Sequence, residues 1–198
     1  MIRPAAKICR RLRAGCVSFA RMSTQVRRKA PGSPAIAVKH IRMLADAMLE
    51  SLDLHNAELS VLLTNDKHIQ ELNREHRNKD RPTDVLSFGV ESDVAAQPFN
   101  APSLLGDIVI SLDTAARQAT SRHRPLIAEI RWLLAHGILH LMGFDHATAT
   151  QKKRMVAWTG RLVRVAALPE GAIEGLPHAK VRQAVKMFRR VRKARSGR

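Results

Sequence analysis

The chain has 198 residues, 45% apolar and 26% charged, enough for one domain with a sizeable core plus extensions. No stretch approaches the ~20 consecutive apolar residues that cross a bilayer, which excludes a helical integral membrane protein. The formal net charge of +17 sits at the ends: residues 1–45 hold 11 Lys+Arg and residues 178–198 hold 9, neither with an acid, while residues 46–177 net −3. A near-neutral globular middle between two cationic arms is not a compact basic DNA-binding domain, and no DNA is expected as a partner.

Residues 1–30 are Arg-rich, contain Ser and carry no acid, which is the composition of a mitochondrial transit peptide. A disordered basic leader, or upstream sequence ahead of a start at Met22, has the same composition. The cysteines, Cys9 and Cys16, both lie in this arm, so a disulfide framework and a cysteine-ligated zinc site inside the domain are excluded. That suits a reducing, cytoplasmic compartment, with a mitochondrial one as the alternative if residues 1–30 are a targeting segment. The breaker cluster Pro31-Gly32-Ser33-Pro34 sets the expected start of the fold. Apolar residues at 41, 44, 45, 48, 49 and 52 predict a helix over 36–52, and the β-rich run 58–64 predicts a strand. Asn65 or Asp66 can cap a helix reaching about His76. Strands are predicted over 83–90 and 104–112 with a Pro-containing loop between them, then a helix capped by Asp113. A further helix over 125–142 carries the stripe Ile127, Ile130, Leu134, Ile138 and Leu141, and a last one covers 149–167.

These elements predict an α+β domain in which a small mixed sheet of three strands packs with four to five helices. The expected organisation is a basic, disordered N-terminal extension over 1–33, the folded domain over 34–175, and a basic C-terminal extension over 176–198. The last segment can form a cationic helix or stay disordered until it meets a polyanion.

Chemistry concentrates in His136-Gly137-Ile138-Leu139-His140-Leu141-Met142-Gly143-Phe144-Asp145-His146. His136 and His140, at i and i+4 of a helix, share one face with Cβ atoms about 5–6 Å apart, a spacing at which two imidazoles chelate one ion. Gly143 is a natural helix stop, and the turn after it lets His146 swing back as a third nitrogen. Three histidine ligands leave a fourth position open, the pattern of a catalytic rather than a structural zinc site. A lone histidine on a helix is more often a surface or core residue. Three of the chain's nine, gathered around a glycine turn, point to metal. Zinc peptidases of the H-E-x-x-H type carry a general-base glutamate directly after the first histidine. Gly137 stands there instead, which disfavours that reaction.

The run resembles the H-G-x-L-H-L-x-G-(Y/F)-D-H signature of the YbeY family of zinc-dependent endoribonucleases and rRNA maturation factors. The segments from Leu72 to Phe88 and from Leu104 to Ile110 agree with that family in order and spacing, so the resemblance spans roughly residues 36–170. Phe144 stands where the family often has tyrosine. The resemblance implies a single-strand-specific metallo-endoribonuclease that matures the 3′ end of small-subunit rRNA and serves ribosome quality control. Its expected partners are single-stranded RNA, rRNA and the small ribosomal subunit. It implies one Zn2+ per chain on His136, His140 and His146, and a functional role for Arg77. The alternative is a metal-containing assembly factor that grips rRNA without having to cut it. Arg77, Lys79 and Arg81 flank a loop able to bring positive charge to a phosphodiester, although Lys79 and Arg81 equally suit a solvated turn. Asp107 and Asp145 are both placed to orient a metal-bound histidine, and the residues alone do not choose between them.

Overall fold

The computed structural model describes residues 23–54, 56–90 and 103–166. It contains four strands, β1 (Ser23–Lys29), β2 (Ala57–Thr64), β3 (Val85–Gly89) and β4 (Ser103–Ser111). Five helices accompany them: α1 (Val38–Ser51), α2 (Asp66–Arg77), α3 (Leu112–Ser121), α4 (Leu126–Leu141) and α5 (Ala149–Val165). The α+β class with a mixed sheet is as expected. The sheet order is β1-β2-β4-β3, with β1 and β4 parallel to β2 and β3 antiparallel to β4.

Side-chain alternation along the strands separates two apolar layers. Leu59, Val61 and Leu63 of β2 and Ile108 and Ile110 of β4 join the main core with Ile41, Met48 and Leu49 of α1, Ile130, Leu134 and Ile138 of α4, and Met155 and Leu162 of α5. On the opposite face Leu62, Val109, Leu86 and Phe88 pack against Ile69 and Leu72 of α2. Helix α4 is buried on most sides, with Leu133, Ala135, Gly137 and Leu139 covered as well as Ile130, Leu134 and Ile138 of the predicted stripe, whose ends Ile127 and Leu141 are half-buried. It is the central helix of the main layer, which makes it a rigid base for the histidines it carries.

Its start is anchored electrostatically. Glu129, fully buried in the first turn, accepts hydrogen bonds from Arg122 Nη1 and Arg124 Nε, both at 2.5 Å. A buried carboxylate needs such partners to offset its desolvation. The N-termini of α2 and α3 are tied in a similar way. Asp66 accepts from Ser111 Oγ (2.5 Å), Thr114 Oγ1 (2.6 Å) and Arg117 Nη2 (2.6 Å), and its own N–H donates to Asp113 Oδ2.

The structure corrects the boundary expected at residue 34. Ser23–Lys29, placed by the sequence reading in a disordered extension, forms edge strand β1 and pairs with β2 from Ser23↔Glu58 to Lys29↔Thr64. Val26 and Ala30 are buried, and Thr64 Oγ1 donates to Lys29 O at 3.0 Å. The cap of α3 is Ser111, whose side chain accepts from Thr114 N, rather than Asp113. Residues 1–22 and 167–198 lie outside the described residues, and with them most of the 1–30 segment read as a transit peptide and all of the cationic C-terminal segment.

Candidate metal centre

His136 and His140 stand one turn apart near the C-terminal end of α4. What brings His146 back is the way the helix stops. Gly143 has φ +81°, its N–H donates to His140 O (2.9 Å), and Phe144 N–H donates to Leu139 O (3.0 Å). This is a Schellman motif, in which a left-handed residue reverses the chain while capping the last carbonyls. Asp145 Oδ1 then accepts from His146 N–H at 2.7 Å and holds the turn. One ligand nitrogen from each of His136, His140 and His146 lies within 4.8 Å of the others, close enough to share a metal ion.

The rings are set for coordination. His140 Nδ1 lies 3.1 Å from Phe144 O. With Nδ1–H donating to that carbonyl, the lone pair left for a metal is on Nε2. The orienting partner of His140 is therefore a backbone oxygen rather than Asp107. That carboxylate is paired with Phe88 in the sheet register and belongs to the α2 face, away from α4. Of the two aspartates left open by the sequence, Asp145 is the one at the centre, and it braces the turn.

Burial lowers the pKa of His136 to about 4, helped by repulsion from His140 and His146 and opposed by Asp84. His140 is also lowered, first by burial and then by His146, with the Phe144 carbonyl and Asp145 opposing and Arg77 adding to the drop. Both rings are thus neutral at pH 7 and offer lone pairs, the form a metal requires. Three imidazoles in a half-open cluster fit a zinc-type ion.

Arg77, the last residue of α2, reaches the same place over edge strand β3. Its Nη2 donates to Ser87 O at 3.3 Å, and its charge acts on His140. Lys79 and Arg81 occupy exposed positions in the following turn, which is fastened through backbone: Asn73 Nδ2 donates to Arg81 O (2.8 Å) and Lys79 N–H to Asn73 O (3.3 Å).

Two residues of the centre had no assigned role in the sequence reading. Asp84 acts electrostatically on His136 and is held by Val85 N–H (2.9 Å) and Gln118 Nε2 (3.0 Å). Ser87 Oγ donates to Gly137 O at 3.3 Å, joining β3 to the histidine-bearing helix. Both belong to the quoted Thr83–Phe88 segment, but their proximity to α4 is a tertiary fact that spacing does not carry. Gly137 also gains a reason. A Cβ there would lie 3.0 Å from Ile108 Cδ1 and 3.2 Å from Ser87 Oγ, so a side chain at the position where a peptidase carries its glutamate would crowd both and require them to shift.

A family profile described as Endoribonuclease YbeY matches residues 27–165, which contain every residue of this centre. The chain is 47% identical over 146 residues to Endoribonuclease YbeY of Anaeromyxobacter dehalogenans, covering 71% of this chain and 73% of that one. It is 44% identical over 114 residues to the protein of the same name from Aquifex aeolicus, covering 58% and 73%. The fold is similar to the solution structure of TM1509 from Thermotoga maritima, with a TM-score of 0.51 at 24% identity over 72% of this chain and 88% of the other. With its histidine turn, its arginine and strands β2, β3 and β4 all inside the matched span, the chain belongs to the Endoribonuclease YbeY family.

Proposed function

We propose that this chain is a zinc-dependent endoribonuclease that cuts single-stranded RNA in maturation of the small-subunit rRNA 3′ end and in ribosome quality control. The observation that carries the chemical part is the convergence of His136, His140 and His146 beside the guanidinium of Arg77. Family membership, and the relatives' name of endoribonuclease, support RNA as the substrate class.

Cleaving a phosphodiester concentrates negative charge on the phosphate oxygens as phosphorus becomes pentacoordinate. His136, His140 and His146 would hold a metal ion that, when bound, would supply Lewis-acid stabilisation of that charge. Arg77 offers a planar fork of N–H donors, of which one is already engaged with Ser87 O, so the guanidinium is aimed before RNA arrives. Asp84, fixed by Gln118, places a carboxylate near His136, where its negative charge would favour a bound cation. Access is from the solvent side, where His146 and Arg77 are exposed. The reading includes a cytoplasmic location and the small ribosomal subunit as partner.

The test is incubation of pure protein with end-labelled single-stranded RNA, with and without chelator, and with casein as a peptidase control. Chelator-sensitive internal cleavage of RNA with intact casein is expected. RNA retained but never cut would favour the assembly-factor reading, and casein cleavage would overturn both.

A further inference from the structure

The turn that completes the metal centre also begins a second feature. Phe144, whose carbonyl orients His140, packs its ring against Trp158 of α5, with centroids 6.3 Å apart. Arg154 lays its guanidinium 5.3 Å above Phe144, and Arg161 lays its own 4.7 Å from the centre of Trp158. Residues 154, 158 and 161 follow an i, i+4, i+7 pattern, so they share one face of α5. At 1.5 Å per residue the two arginines are about 10 Å apart along the helix, the first at the metal end.

We propose that this face is a track for single-stranded RNA leading away from the metal centre, with Arg154 and Arg161 as two successive contacts. The proposal rests on the RNA-cleaving reading above. A free arginine on a surface loses much of its ~2 kcal/mol of rotamer freedom on binding. One already stacked on a ring has lost part of it, and a guanidinium carries donors on several edges, so a stacked one can still reach a phosphate. The outer face of a stacked guanidinium is itself a platform for an unpaired base, a combination that suits single-stranded RNA better than an acidic peptide. Arg161 is exposed, while both aromatic rings and Arg154 are half-buried, so the supports are rigid and the contact surface is open.

The experiment uses the full chain with its metal and a labelled oligouridine of about 12 nucleotides, read by anisotropy across a salt series, with cleavage followed on the same samples. Arg161→Gln is expected to weaken binding ~3–10-fold and to reduce the slope of log K against log salt by about 0.7, the value for one lost single-strand phosphate contact. Arg154→Gln combined with Arg161→Gln should roughly double the change in slope, and Arg161→Lys should restore the slope but not the affinity. Thermal midpoint and metal content establish that each variant is folded. A photoreactive uridine in the probe should crosslink to the peptide containing Trp158, a readout that needs no variant. If the parent protein binds and cuts RNA while the double variant binds with the same affinity and slope, the track is overturned and the cleavage reading stands. If the variants weaken binding and the parent never cuts, the track stands and the cleavage reading falls. A parent that does not bind the probe overturns both, and full recovery of affinity by lysine overturns the stacked geometry.

Discussion

At the residue scale the centre is two kinds of side chain with separable jobs. In the proposed reading the histidines hold a metal ion and Arg77 answers charge that develops during cleavage. Arg77→Lys separates the two because it keeps the charge but loses the planar fork. The expected outcome is near-normal RNA binding with a single-turnover rate lowered ~10²–10³-fold, if the arginine acts like a positioned oxyanion donor. Metal content measured alongside should be unchanged. Weakened affinity with a full rate at saturating RNA would mark Arg77 as a phosphate anchor instead. The triad was legible in the sequence because i, i+4 spacing and a glycine stop are local signals. Asp84 and Ser87 were not, because they meet α4 only when β3 takes its edge position.

At the element scale, function depends on how helices begin and end. Gly143 sits at φ +81°, a conformation that costs a residue with a Cβ roughly 1–2 kcal/mol. Gly143→Ala should therefore lower unfolding free energy by about that amount and weaken zinc affinity, since the same turn returns His146 to the cluster. Chelator competition and denaturant unfolding check both. The α2–α3 junction makes a pH prediction. Burial raises the pKa of Asp66, but its hydrogen bonds from Ser111, Thr114 and Arg117 outweigh this and the net shift is downward. A lowered folded pKa stabilises the protein above the unfolded carboxylate value of ~3.9, and that stabilisation disappears as pH falls through the folded value. Asp66→Asn should cost ~1–3 kcal/mol at pH 7, and its denaturation midpoint should converge on the parent's as the pH falls below 4. A constant difference across that range would assign the loss to packing. Helix periods and strand runs located most elements within a few residues. The capping of α3 by Ser111 was missed because Ser111 closes strand β4, so its position reads as strand rather than as cap.

At the scale of the whole molecule the sheet extends into what reads as an arm. β1 carries Arg27, Arg28 and Lys29 and only Val26 as a large apolar residue, so neither alternation nor composition marks it as a strand. Its pairing with β2 is what orders it, and edge strands need little apolar signal when one face is solvated. Removal of residues 1–33 should destabilise the fold by about 2–4 kcal/mol relative to removal of 1–22 alone, through lost burial of Val26 and Ala30 and loss of the Thr64 bond to Lys29. Equal midpoints for the two truncations would contradict a structural role for β1. The arms' share of RNA affinity is best read with the shorter truncation, since the longer one also removes part of the sheet.

The central claim is that one metal ion on His136, His140 and His146 makes this fold an RNA-cutting enzyme. The most direct measurement is the cleavage rate of single-stranded RNA as zinc is titrated back into chelated protein. The account predicts no cleavage in the chelated protein, a rise that breaks at about one equivalent per chain, and no recovery for His136→Ala/His140→Ala at any equivalence. Full cleavage by the chelated protein, or zinc-restored cleavage by the double variant, would contradict it.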